Sequence, residues 1–166
     1  MKVYLKNKSE INLTQQNFVA SGGEGEIYER NNIAYKIYTD PKRMISTGKI
    51  NELSVLSNSN IINPKEILFN QQGNPIGYTM PFVKNPEFLC KLFTESYKTQ
   101  NKLTNDKIIA LVNQFRKDVE YIHSNKILIV DCNELNFLID RQFSNIYFID
   151  VDSYQTEHYP ATALMD

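Results

Sequence analysis

No apolar run in this sequence approaches the ~18 residues that a membrane-spanning helix needs. The opening stretch, MKVYLKNKSEINL, has no apolar core of signal-peptide type, so export is not expected. An excess of one charge is also missing: the formal net charge of −1 leaves no footprint for nucleic acid or an anionic membrane surface. Cysteine is scarce. Cys90 and Cys132 stand far apart without C-x-x-C spacing and read as reduced thiols of a cytoplasmic protein. Internal repeats, low-complexity linkers and coiled-coil heptads are absent too. What remains, 166 residues with 42% hydrophobic and 22% charged, has the balance of a soluble globular chain able to bury a core.

The pattern along the chain changes period several times. Residues 2–5 alternate weakly, as a short strand does. NFVASGGEGEIYER and NIAYKIY read as two strands of an antiparallel hairpin turned at Asn31 and Asn32. Pro41 can open a helix over residues 41–57, with Ile45, Ile50, Leu53 and Leu56 on one face. EILFN and PIGYTMPFV form a second hairpin around Gly73. Residues 104–124 make the clearest helix, capped by Thr104 or Asn105, with Ile108, Leu111, Val112, Phe115, Val119 and Ile122 sharing a face. ILIVDCNELNFLID then reads as two short buried strands around a polar loop, and NIYFIDVDSYQ as further strand. Strands thus lead, with one inserted helix, and helices weigh more in the second half. The expectation is an α+β chain in two lobes, residues 1–83 and 84–166.

Three groups of residues carry chemistry. Gly22, Gly23 and Gly25 lie between two strands, which excludes the dinucleotide fingerprint, since that needs a helix N-terminus after the glycines. Glycines in a hairpin let backbone N–H groups approach phosphates; an ordinary glycine-rich turn is the alternative. Lys36, on the next strand, requires an anion if half-buried, and Glu52 can pair with it; otherwise both are solvated surface charges. Asp131 and Asn136, five apart on the polar loop, either aim at a ligand or bond their own backbone as a turn.

Taken in order, these residues resemble the eukaryotic-type protein kinase superfamily from about residue 16 to about residue 152. VASGGEGEIYE is similar to its glycine-rich loop, with Ala20 in place of the first glycine. AYK resembles the strand bearing the phosphate-binding lysine, here Lys36, and NELSVL the regulatory helix, with Glu52 as ion-pair partner. YTMPFV resembles the strand entering the hinge. The resemblance implies that Met80 is the gatekeeper, that Phe82 and Val83 lend backbone groups to adenine, and that Ile27, Ala34 and Leu138 pack beside it. YIHSNKILIVDCNELNFLI resembles the catalytic loop, with Asp131 as catalytic carboxylate and Asn136 as a metal ligand. YFIDVD resembles the metal-binding segment, with Asp150 as the main Mg²⁺ ligand. ATP and Mg²⁺ are the cofactors this implies, and a protein Ser or Thr the acceptor. A nucleotide-binding pseudokinase that works as an interaction module is the alternative, and a small-molecule acceptor or AMP transfer a third.

The departures are specific. Ile129 and Val130 replace the His and Arg that precede the catalytic Asp, which removes the usual receiver of a loop phosphate. Control by phosphorylation at Ser153, Tyr154 or Thr156 is therefore not expected. Asn133 stands where a lysine is usual, and Asp152 where a glycine is usual. The resulting D-V-D-S segment resembles that of a divergent bacterial and phage branch. Glu24 puts a negative charge at the glycine-loop tip, to repel a triphosphate or to face solvent. The sequence ends at YPATALMD, so the C-terminal lobe is expected to be partial, as a fragment or as a minimal kinase.

Overall fold

The computed structural model describes residues 1–162, which form two compact units. The first unit comprises residues 1–55 and 63–82; the second comprises residues 56–62 and 83 onward. The chain is α+β. Among the described residues no helix is long and apolar enough to cross a membrane.

The first unit is built on seven antiparallel strands: β1 (Lys2–Tyr4), β2 (Glu10–Asn12), β3 (Phe18–Ser21), β4 (Gly25–Arg30), β5 (Ile33–Tyr38), β6 (Ile67–Phe69) and β7 (Pro75–Pro81). Their order in the sheet is β2-β1-β6-β7-β5-β4-β3. The sheet curls, for the Arg30 guanidinium at the end of β4 donates to the Asn12 carbonyl of β2 (2.9 Å) across four intervening strands. The β4–β5 hairpin turns where expected. Asn31 and Asn32 both adopt positive φ (56° and 62°), the backbone that a two-residue turn matched to strand twist requires. One sheet face buries Val3, Leu13, Tyr28, Tyr35, Ile37 and Leu68 as a core. Each fully buried leucine among them contributes about 1.5–3 kcal/mol.

The expected helix over 41–57 is shorter. Asp40 caps a separate 3-10 turn, Pro41–Arg43, and Ser46 caps α1 (Thr47–Leu53), its hydroxyl accepting from the Lys49 N–H at 3.1 Å. Two good N-caps in succession divide what one apolar stripe suggested. Ile45, Ile50, Leu53 and Leu56 are all buried nonetheless.

The second unit holds β8 (Glu87–Phe88), α2 (Glu95–Gln100), α3 (Asn105–Ser124), β9 (Phe137–Ile139) and β10 (Ile146–Phe148). The three strands pair antiparallel in the order β10-β9-β8. Thr104 caps α3 as expected. Of the expected apolar face, Leu111 and Ile122 are buried, whereas Val112 is 60% exposed. Residues 127–130, expected as a strand, form none: Leu128 makes a single bridge, exchanging both backbone bonds with Gln155 (2.8 and 3.0 Å).

Asp118 on α3 is a buried carboxylate held by amides. Asn58 Nδ2 (2.6 Å) and Asn60 Nδ2 (3.0 Å) donate to it, as does Gln114 Nε2, which also bonds the Ile146 carbonyl. These bonds tie residues 56–62 to α3, and the Ile62 N–H to Phe148 carbonyl bond (2.9 Å) ties them to β10. Removing the carboxylate strands three half-buried amide donors. Asp118→Ala is therefore expected to lower unfolding stability by about 3 kcal/mol in a urea titration. Asp118→Asn, which keeps one acceptor oxygen, should cost less. A loss in Asp118→Ala no larger than that of a surface substitution would show that the network holds nothing.

Candidate functional site

In the first unit the candidate residues of β4, β5 and β7 share the sheet face opposite the core. Antiparallel register sets Ile27 against Lys36, Ala34 against Met80, and Lys36 against Tyr78. Phe82 follows the end of β7, and Glu52 lies on α1. Lys36 is 8% exposed. Its Nζ sits 2.9 Å from Glu24 Oε2 and 5.0 and 5.8 Å from the ring centroids of Tyr38 and Tyr78. The anion that a buried lysine requires is thus supplied by the glycine-loop tip itself. Glu24 does not simply face solvent, and its backbone is held as well: the Thr39 N–H donates to its carbonyl at 3.0 Å.

The glycines differ in their reasons. A Cβ on Gly22 or Gly23 would meet nothing within 4 Å, whereas one on Gly25 would lie 2.1 Å from the Ile37 carbonyl oxygen. Gly77, on the other neighbour of β5, is just as tight, 2.0 Å from the Lys36 carbonyl oxygen. Gly25 is therefore a packing glycine. Gly22 and Gly23 form the open part of the loop, closed by the Gly22 N–H to Gly25 carbonyl bond at 2.9 Å.

In the second unit, residues 131–136 build a polar loop. Asn133 Nδ2 donates to Asp131 Oδ1 (2.7 Å), and Asn136 Nδ2 to Asp131 Oδ2 (3.1 Å) and to the Asp131 carbonyl (3.0 Å). Asn133 Oδ1 accepts from the Leu135 N–H at 2.9 Å and caps the 3-10 turn Glu134–Asn136. The two readings of the loop combine here: the asparagines bond local backbone, and by doing so they fix the plane of the Asp131 carboxylate. Asn136 commits its N–H₂ group to Asp131, and its Oδ1 is the oxygen left to act as a ligand. The Ile149 N–H bonds the Asn136 carbonyl at 3.0 Å, which brings the segment of Asp150 alongside. Asp150 takes a left-handed backbone (φ 57°), a conformation that costs an L-residue roughly 1–2 kcal/mol. Leu138 lies opposite Tyr147 in the β9–β10 pair, and Val83 begins the main segment of this unit.

Sequence reasoning missed how the residues after Asp150 are housed. Ser153, Tyr154 and Thr156 are buried, and their hydroxyls have no hydrogen-bond partner among the described residues. Burial pushes the Tyr154 phenol far above its usual range, and the charges of Asp150, Cys132 and Asp131 push it the same way. It stays protonated beside the carboxylates. The donor set as a whole, carboxylate and amide oxygens on a braced loop, is chemically hard and suits Mg²⁺ rather than a soft metal. Comparison of the chain with protein-family models finds no match, and comparison with curated proteins finds none either.

The glycine assignment is open to a direct check. Gly25→Ala is expected to destabilise the protein by more than about 2 kcal/mol, because backbone must move to admit the methyl group. Gly22→Ala and Gly23→Ala should stay within about 0.5 kcal/mol of the parent. Thermal unfolding that ranks the three alike would refute the distinction.

Proposed function

We propose that this chain is an ATP- and Mg²⁺-dependent phosphotransferase of protein-kinase-like, two-lobed fold, with a protein Ser or Thr hydroxyl as acceptor. The observation that carries the reading is the Asp131–Asn136 pair, both asparagine amides on one carboxylate, backbone-bonded to the segment of Asp150. Asn136 Oδ1 and the Asp150 carboxylate would hold the cation, and their oxygen chemistry fits it. When bound, ATP supplies the transferable phosphoryl group and Mg²⁺ offsets its charge. Asp131 orients the acceptor hydroxyl and takes its proton, with Asn133 and Asn136 keeping the carboxylate in plane. Lys36 is the cation of the phosphate-binding face and Gly22 and Gly23 its open loop. Ile27, Ala34, Met80, Phe82, Val83 and Leu138 make the adenine environment, and Glu52 of α1 steadies the lysine.

One observation favours the second reading, a nucleotide-binding pseudokinase. The Lys36 ammonium already holds Glu24, so phosphate must compete with a carboxylate at 2.9 Å. Nucleotide binding with no transfer would decide for that reading.

Thermal unfolding tests the nucleotide site that both readings share. ATP with Mg²⁺ at a hundredfold its Kd is expected to add about 2.7 kcal/mol of stability, and ATP with chelator less. Asp150→Asn should remove the metal-dependent increment. No shift with any nucleotide would sink the site reading altogether.

With γ-labelled ATP and a generic protein acceptor, Asp131→Ala and Lys36→Ala should each lower kcat by orders of magnitude while the fold persists. Phosphatase treatment should leave transfer unchanged, since Ser153, Tyr154 and Thr156 are buried and Val130 offers no guanidinium. Full activity in either mutant, or loss after phosphatase, would count against the assignment.

A further inference from the structure

Tyr154 is 0% exposed, yet its hydroxyl meets no hydrogen-bond partner among the described residues, and the proposed chemistry does not use it. A phenol is costly to bury with its polar end unpaired, so the position calls for a physical reason. Ser153 and Thr156, buried in the same short segment, leave their hydroxyls unpartnered too. Hydroxyls enclosed in this way are the groups to which an ordered internal water bonds.

The backbone decides what Tyr154 lies beside. Asp150 precedes the 3-10 turn Val151–Ser153, which is closed by the Ser153 N–H on the Asp150 carbonyl (3.0 Å) and the Tyr154 N–H on the Val151 carbonyl (3.2 Å). This turn fixes Tyr154 relative to Asp150. On its other side Gln155 bonds Leu128 twice in antiparallel sense, which lays the residues before Gln155 along those leading from Leu128 to Asp131. Burial first, and then the charge of Asp150 ahead of those of Cys132 and Asp131, keeps the phenol protonated and therefore a donor. Both Asp131 oxygens already accept from Asn133 and Asn136, so the phenol is assigned to the other carboxylate. We propose that Tyr154 is a positioning residue for Asp150, its hydroxyl donating through one enclosed water to the Asp150 carboxylate. The inference rests on the proposed cation site and deepens it. A carboxylate that ligates a hard cation is oriented by its outer hydrogen bonds, and a bridging water transmits such a bond nearly as well as direct contact.

The test is the gain in ATP affinity that Mg²⁺ confers on the full chain, measured by calorimetry with Mg²⁺ and again with chelator. Tyr154→Phe, which deletes the hydroxyl and keeps the ring, is expected to lower that gain by about 10-fold or more, with the affinity in chelator unchanged. Thr156→Val removes a buried hydroxyl of the same segment and should leave the gain as in the parent. A further readout needs no variant to fold. In the parent, the Tyr154 hydroxyl proton is expected as a slowly exchanging NMR resonance that shifts when Mg²⁺ is added to the ATP-bound chain. A parent with no gain from Mg²⁺ overturns the cation site, and the inference falls with it. A parent with the gain overturns the inference alone if Tyr154→Phe keeps it in full, if Thr156→Val loses as much, or if Mg²⁺ leaves the hydroxyl proton unmoved.

Discussion

Phe115 of α3, Phe137 of β9 and Phe148 of β10 meet with ring centroids 5.0–5.2 Å apart, one pair stacked and two edge-on. Each such pair contributes about 0.5–1.5 kcal/mol beyond the area it buries. Position matters more than the energy. Phe137 directly follows Asn136, and Phe148 lies two residues before Asp150, so this contact fixes where both proposed oxygen ligands start. Backbone pairing does the rest: Phe137 sits opposite Phe148, and the Asn136 carbonyl accepts the Ile149 N–H just beyond. A loop carrying a carboxylate and two amides is mobile by nature. Here it is bracketed by a short strand clamped to a helix through aromatic rings, which leaves the side-chain hydrogen bonds to set the last ångström.

A comparable constraint operates in the first unit, by backbone rather than rings. Gly25 and Gly77 flank β5 on its two sides, and each would place a Cβ about 2 Å from a β5 carbonyl oxygen. Neither position admits a side chain without moving backbone. The strand that carries Lys36 is therefore gripped on both edges at residues 36 and 37, and the ammonium is held between Glu24 and two tyrosine rings. Cation–ring contacts with this degree of burial add about 1 kcal/mol or more each. Rigidity of the strand and neutralisation of its charge are separate achievements, because the first needs glycines and the second needs a carboxylate on the adjoining loop.

The parts legible in the sequence were those whose signal is local. Helix α3 was readable because its period and its Thr104 cap sit in one window, and the β4–β5 hairpin because two asparagines tolerate positive φ. Residues 127–130 misled because an apolar run has the same composition whether it pairs along its length or, as here, through Leu128 alone. The stripe over 41–57 misled for a related reason: Ile45 and Leu56 are buried from outside α1, so burial followed the helical period where the helix did not. The Glu24–Lys36 pair joins residues twelve apart, and an acidic residue at a loop tip reads as solvated by default. Asp118 did leave a signal. It stands seven residues after Leu111 and four before Ile122, a charged residue on the helix's buried stripe, and such a residue must have partners.

The buried hydroxyls after Asp150 bear on how an activity of the proposed kind would be controlled. A phosphate switch needs a hydroxyl that an enzyme can reach and a guanidinium that can receive the product. Val130 offers no guanidinium as receiver, and Ser153, Tyr154 and Thr156 keep their hydroxyls buried. The two losses are independent in chemistry yet point the same way. The backbone agrees: Leu128 and Gln155 exchange two bonds, the Thr156 N–H bonds the Tyr159 carbonyl, and the Thr162 N–H bonds the Ser153 carbonyl, so the segment is stitched down rather than presented.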